Sequence, residues 1–376
     1  MRIFLLTVMF ALLSTGTEAK NTSIKPGSIW PDNKGIQINA HGGGILELNG
    51  TYYWYGEHKI EGDAGNYAQV GVHCYSSKDL VNWKDRGIAL AVDNDSTSLL
   101  VKGCIIERPK VIYNKKTKKF VMWFHHELKG QGYNAALTGL AISDKATGPF
   151  KYIKSVNPNK EKWPLNFPEE WKQDTTTMRN IKPKSELGKA IVEKGYFIRR
   201  DFKKGQMARD MTLFVDDDGK AYHIHSSESN QTLHFAELTD DYTDFTGRYT
   251  RVLPGESNEA PAILKHKSKY YLFSSGTTGW DPNPGRLAVA DNIMGPYKPL
   301  ANPCRGTEKQ IKTTFQSQST YIIKVNGKKN AYIFMGDRWT PKNAIDGRYV
   351  WLPIKFDNNE IPYLEWMDKW DLSVFK

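Results

Sequence analysis

Very little in this 376-residue chain points to a disulfide framework. It has three cysteines, Cys74, Cys104 and Cys304, an odd and widely spaced set with no C-x-x-C pair. That excludes a disulfide scaffold and a thiolate zinc site; buried free thiols and a fold held by its own core are expected instead. Helical periodicity is equally scarce, since few stretches keep a 3.6-residue period. After Leu13 no run is apolar enough to cross a membrane, which takes about 20 residues. The glycine run in AHGGGIL (40–46) lacks a following Lys-Ser/Thr pair and precedes a strand rather than a helix, so it is no phosphate loop. No nucleic-acid module is present either. The formal net charge is +11, but the lysines are scattered singly, with NKKTKK at 114–119 the densest patch, and read as a solvated surface.

What is present begins with MRIFLLTVMFALLSTGTEAK. One early Arg, an apolar stretch from Ile3 to Leu13 and a small, polar end have the layout of a secretory signal peptide over residues 1–19. The expectation is an exported protein, periplasmic or secreted, with residues 20–376 as the mature chain and no membrane span after cleavage.

Aromatic residues make up 12% of the chain, and glycine and proline are spread evenly. Short runs rich in Tyr, Phe, Trp, Val and Ile recur between turn residues, which is an all-β pattern. The runs also pair. TYYWYGE (51–57) leads to GVHCYSSKDLVNW, KFVMWFHHE (119–127) to TGLAISDKATGPF, and KAYHIHSSE (220–228) to HFAELTDDYTDF. KYYLFSSG (269–276) leads to RLAVADNIMGPY, and NAYIFMGDRW (330–339) to RYVWLPIKF. Five units of about 50 residues predict a five-bladed β-propeller, with a β-sandwich as the runner-up. Residues 156–207 fit no unit and read as an insertion, and LEWMDKWDLSVF is expected to complete the last blade.

In a propeller the first strand of each unit lines the central channel, so polar residues just before these strands face one another. They are His41 in AHGGGIL, Glu107 in IIERPKVIY, Asp210 in ARDMTLFVDDDG, Glu259 in NEAPAIL and Gln318 in FQSQSTYII, with Glu57 closing the next strand of the first unit. Charges in such places are costly unless paired or used. Several carboxylates around one polar cleft suit glycosidic cleavage, in which one protonated acid serves the leaving oxygen and an opposing group handles water. Trp54, Trp280 and Trp339 are candidate stacking faces for sugar rings. No partner histidine stands at ligand spacing from His41, so no metal site is assigned. His125 and His126 point to opposite faces of a strand, His223 and His225 share one, and DDDG at 216–219 reads as a turn.

Taken together, AHGGGILELNGTYYWYGE, IERPKVIYN, ARDMTLFVDDDG, NEAPAI and SQST resemble glycoside hydrolase family 43, the five-bladed propeller family, over residues 40 to about 320. Within it the chain is similar to the exo-β-1,3-galactanase branch, which releases galactose from β-1,3-galactan main chains of arabinogalactan with inversion. The resemblance implies Glu259 as general acid, Asp210 as the carboxylate that tunes and orients it, and Glu107 and Glu57 as substrate-binding groups, with His41 beside them. Most of the family carries an Asp base at the start of the first blade. Here the matching position is His41, and the branch is thought to use a glutamine matching Gln318, either by positioning water or through a rarer tautomer. The expected partner is a polysaccharide or oligosaccharide, met by a monomer without cofactor; some members hold a central cation, which leaves structural calcium open. The alternatives are an α-L-arabinofuranosidase or β-xylosidase of the same family, or a catalytically inactive glycan-binding propeller.

Overall fold

The computed structural model describes residues 21–375; the expected signal segment, residues 1–19, lies outside them. Four sheets have four strands each in simple chain order: His41–Leu48, Thr51–His58, Gly71–Ser77 and Lys84–Ala91 in the first, Ile105–Asn114, Lys119–Glu127, Leu137–Ser143 and Lys151–Val156 in the second. The third is built from Met211–Val215, Ala221–Ser227, Thr232–Leu238 and Phe245–Val252, and the fourth from Glu259–His266, Lys269–Ser275, Arg286–Ala290 and Lys298–Leu300. A fifth sheet has three strands, Gln318–Lys324, Tyr332–Arg338 and Arg348–Pro353. The first hairpin shows the turn chemistry: Asn49 and Gly50 both take positive φ (52° and 71°), as a two-residue turn between twisted strands requires.

The expected five blades are corrected by a sixth sheet. Its strands are Cys304–Arg305, Pro362–Glu365 and Lys355–Phe356, the first pair parallel and the second antiparallel. These strands are two to four residues long and come from both sides of the fifth sheet in sequence, so they carry no aromatic-strand signature to count. LEWMDKWDLSVF accordingly divides: Leu364 and Glu365 pair with Cys304 and Arg305 in the sixth sheet, while Trp370 bridges back to Ile24 near the start of the described chain.

The first strands of sheets one to five pack side by side in a ring, the fifth against the first. Between the first and fifth sheets Trp30, Trp54, Trp83, Trp351 and Trp370 form one buried cluster, with Trp54 set edge-on to Trp83 (5.2 Å) and Tyr349 (4.6 Å). Much of the tryptophan content is therefore core, where each ring removes a large apolar area from water. The segment between the second and third sheets folds into three short helices, Glu169–Lys172, Glu186–Glu193 and Tyr196–Asp201. Phe167 and Ile198 pack on Ala236 and Tyr249 of the third sheet, and Arg251 binds the Val192 and Glu193 carbonyls while paired with Glu228. Cys74, Cys104 and Cys304 are free and buried, and no helix among the described residues is long and apolar enough to span a membrane.

Candidate active site

One backbone device recurs where the inner strands begin. The pairing register shifts between His41 and Gly44, between Glu107 and Lys110, between Glu259 and Ala262, and between Ser319 and Tyr321. In the first three bulges the residue after the key position is left-handed: Gly42 (φ 60°), Arg108 (φ 55°) and Ala260 (φ 53°). A bulge re-aims a side chain and interrupts the ladder. Holding Arg108 and Ala260 there costs about 1–3 kcal/mol each, strain typical of functional sites.

The result is a cavity of about 310 Å³ at one end of the ring, onto which Glu57, Glu107, Asp210, Glu259, Gln318, Trp280 and Trp339 all converge. Glu259 accepts a hydrogen bond from Asn230 Nδ2 (2.6 Å). Its carboxyl is pushed up to about 8, first by burial and then by the charge of Asp210. Asp210 Oδ2 in turn accepts from Arg108 Nη2 (3.0 Å) and from the Ala260 N–H (3.1 Å), so the strained residue beside Glu259 docks the neighbouring acid.

The other two carboxylates are set differently. Burial works against the Glu107 charge, yet its hydrogen bonds to His125 Nδ1 (2.9 Å) and Tyr133 Oη (2.6 Å) hold the carboxyl down to about 2. His125 is raised to about 9: burial opposes its charge, but Glu107 and Glu127 flank both ring nitrogens at 2.9 Å. Glu57 is raised by burial, against the opposing pull of Lys59 Nζ at 2.6 Å, and also accepts from the Arg108 N–H at 3.0 Å.

Glu107, His125 and Asp210 bring potential ligand atoms within 4.8 Å of one another. They fit a metal ion poorly. Both His125 nitrogens are already committed to carboxylates, and an imidazolium has no lone pair to offer.

Two expected contact residues are corrected. Trp54 belongs to the tryptophan core and does not reach the cavity. His41 is 1% exposed, lies 5.4 Å from the Tyr349 ring, and is driven by burial to about 3, so it is neutral. It fits because Gly347 has no side chain; a Cβ there would come within 2.8 Å of the imidazole. The glycines after it each make room for a neighbour. A Cβ on Gly42 would meet Glu57 Oε1 at 2.2 Å, one on Gly43 the Tyr55 carbonyl at 2.2 Å, and one on Gly44 the Lys110 side chain at 2.4 Å. The Gly42 peptide is held from both sides: its N–H donates to Asp337 Oδ2 (2.5 Å) and its carbonyl accepts from Lys110 Nζ (2.8 Å). Burial pushes Asp337 up to about 7 and Lys110 down to about 7.

Several site residues escaped the sequence reading: Arg108, Tyr133, Arg209, Asn230 and, beneath the cavity, Asp337 and Lys110; of the adjacent His125 and His126, His125 is the one that reaches the cavity. A signal existed for some. The register pairs His41 with Glu57, Glu107 with His125, Glu259 with Ser275 and Gln318 with Asp337. The last polar residues of four of the five aromatic strands (WYGE, FHHE, FSS, GDR) thus form a second layer behind the first. His126, one residue on from His125, faces away and meets Ser155. His223 and His225 are core, joined to each other through their Nδ1 atoms. Asn230 sits on a turn where Glu228, Ser229 and Asn230 are all left-handed, which no spacing announces.

Residues 156–362 match the family model described as glycosyl hydrolases family 43. Among solved structures, a GH43 β-1,3-galactosidase with galactodeoxynojirimycin is 50% identical, with 93% of this chain and 100% of that chain covered and a TM-score of 0.90. An exo-β-1,3-galactanase from Phanerochaete chrysosporium with β-1,3-galactotriose is 29% identical over 94% of this chain and 68% of that one, TM-score 0.73. An exo-β-1,3-galactanase from Clostridium thermocellum is 35% identical over 92% of this chain, which spans 66% of that one, TM-score 0.73. The search of curated proteins found no match.

Proposed function

The chain belongs to glycosyl hydrolases family 43, and on that premise we propose that it releases galactose, one unit at a time, from the ends of β-1,3-galactan chains. The observation that carries this reading is the 50% identity, over 93% of this chain and all of the other, to a GH43 β-1,3-galactosidase. The cavity supplies the matching chemistry. Glu259, protonated at neutral pH, is the group to give a proton to the departing glycosidic oxygen. Asp210, tied to Arg108, keeps a negative charge near it and so keeps that proton on Glu259. Glu107 and Glu57 offer acceptors to sugar hydroxyls, and Trp280, 38% exposed and edge-on to Trp339 at 5.7 Å, offers an apolar face at the rim.

In this reading water attacks from the side opposite Glu259, next to Gln318, with inversion, and the chemistry calls on side chains alone. Export of the enzyme to the periplasm or medium is part of the same proposal and rests on residues 1–19.

The test is incubation of the purified chain with β-1,3-galactan, arabinan and xylan, identifying the sugar released. Galactose from the first alone supports the reading. Arabinose or xylose moves the chain to another activity of the family, and binding of a glycan without release from any of the three makes it an inactive propeller.

A further inference from the structure

We infer that the segment outside the repeats, residues 156–207, serves the acid: through Arg251 and Glu228 it holds the turn from which Asn230 positions Glu259. This rests on the hydrolase reading above and names positioning residues for its proton donor. Asn230 Nδ2 donates to Glu259 Oε1 at 2.6 Å, which leaves Oε2 to carry the proton toward the departing oxygen. The turn under Asn230 does not hold itself. Glu228, Ser229 and Asn230 take φ of 51°, 58° and 60° in succession, a left-handed run that residues with a Cβ avoid. The Gln231 N–H closes it onto the carbonyls of Ser227 (3.1 Å) and Glu228 (3.2 Å).

The first residue of the turn is its anchor. Glu228 is fully buried, and Arg251 meets it as a fork, Nε to Oε1 at 2.7 Å and Nη2 to Oε2 at 2.8 Å. His234 Nε2 adds a third contact at 3.0 Å. A bidentate pair fixes direction as well as distance, so the turn cannot shift without breaking a buried ion pair.

Arg251 is fixed in turn by the segment. Its Nη1 donates to the Glu193 carbonyl (2.8 Å) and its Nη2 to the Val192 carbonyl (2.6 Å), at the end of the Glu186–Glu193 helix where the dipole favours a cation. Asn166 brackets the Arg251 peptide, accepting from its N–H (3.0 Å) and donating to its carbonyl (2.8 Å). The Phe167 ring lies 5.7 Å from the guanidinium. Blades alone supply none of these partners. The far side of the turn is tied to the approach to the acid's own strand: the Ser257 hydroxyl donates to Gln231 Oε1 (2.8 Å) and its N–H to the Gln231 carbonyl (3.2 Å). Asn230 and Glu259 therefore sit at a fixed offset. Arg251 and Glu228 do not line the cavity and act through Asn230.

A misplaced acid shows itself through the leaving group. An oligosaccharide needs the proton of Glu259, whereas dinitrophenolate departs without one. Arg251→Lys keeps the charge and loses the fork. It is expected to lower kcat on β-1,3-galactooligosaccharides about tenfold or more with KM little changed, while hydrolysis of dinitrophenyl β-galactoside stays within about threefold of the parent. Adding Asn230→Ala to Arg251→Lys should slow the oligosaccharide no further than Asn230→Ala alone, since both act on one contact. Equal losses on the two substrates, no loss on the oligosaccharide, or additive losses in the double variant would overturn the inference. Asn230→Ala, at the cavity wall, covers the case of a misfolded Arg251→Lys: a loss confined to the oligosaccharide upholds the inference, and an equal loss on both substrates overturns it. Release of galactose by the parent chain beside an unselective Arg251→Lys overturns this inference alone. A parent chain releasing none overturns the galactanase reading and this inference together.

Discussion

At the start of the inner strand the first and fourth sheets bend their backbones alike. Each has a bulge, and each follows its key residue with a left-handed one, Gly42 after His41 and Ala260 after Glu259. In the fourth sheet the bend presents a carboxyl to the cavity and turns the Ala260 N–H onto Asp210. In the first sheet the same bend tucks a neutral histidine against Tyr349, and the space above Gly42 is taken by Glu57, reaching across from the neighbouring strand. The comparison teaches that the bulge is a holder and not a function. What it delivers depends on the side chain at the key position and on what the glycines around it let in.

The largest expected effect tests the fourth-sheet side. Glu259→Gln keeps size and the Asn230 contact but has no acidic proton to give; a loss of 10²–10⁴-fold in galactose release is expected, with oligosaccharide binding retained. Turnover near that of the parent would put the acid elsewhere.

Next comes the pair of left-handed residues. Gly42→Ala places a methyl 2.2 Å from Glu57 Oε1 on a strained φ, and should cost about 1–3 kcal/mol of stability together with much of the activity. Ala260→Gly relieves the same backbone strain and should stay within about 1 kcal/mol in urea unfolding. Equal losses in the two variants would break the idea that the glycine run serves Glu57.

A shift rather than a loss is the mark of Asp210. Its negative charge disfavours ionisation of Glu259, so Asp210→Asn should lower the Glu259 pKa from about 8 and move the alkaline limb of kcat/KM to lower pH, besides slowing the reaction. An unmoved limb would remove Asp210 from the tuning role. The smallest effect is expected at His41. Both of its ring nitrogens are buried without partners, so His41→Leu should change kcat by no more than a few-fold. A large loss confined to kcat would return His41 to the machinery.

Much of this was legible in residue order because a propeller repeats. Aromatic strands recurring from 51, 119, 220, 269 and 330 located Glu107, Asp210, Glu259 and Gln318, since the same place in each unit maps to the same end of one channel. Trp54 was misjudged for a related reason. Alternation along a strand says that a ring faces inward or outward, but here both faces of TYYWYGEH meet protein, and the inward face is closed by tryptophans from the far end of the chain. The sixth sheet was illegible because strands of two to four residues, one pair joined in parallel across 60 positions, leave no periodic trace.

By itself, then, the sequence determined the all-β repeat, the channel-facing positions and which side chains stand there, because alternation and turn chemistry act over a few residues. Only the tertiary structure decided what those side chains can do. The acidity of Glu259 depends on Asp210 from another sheet. The neutrality of His41 depends on burial between Tyr349 and Gly347. Each of these is a property of distance and desolvation, and neither is written in the order of residues.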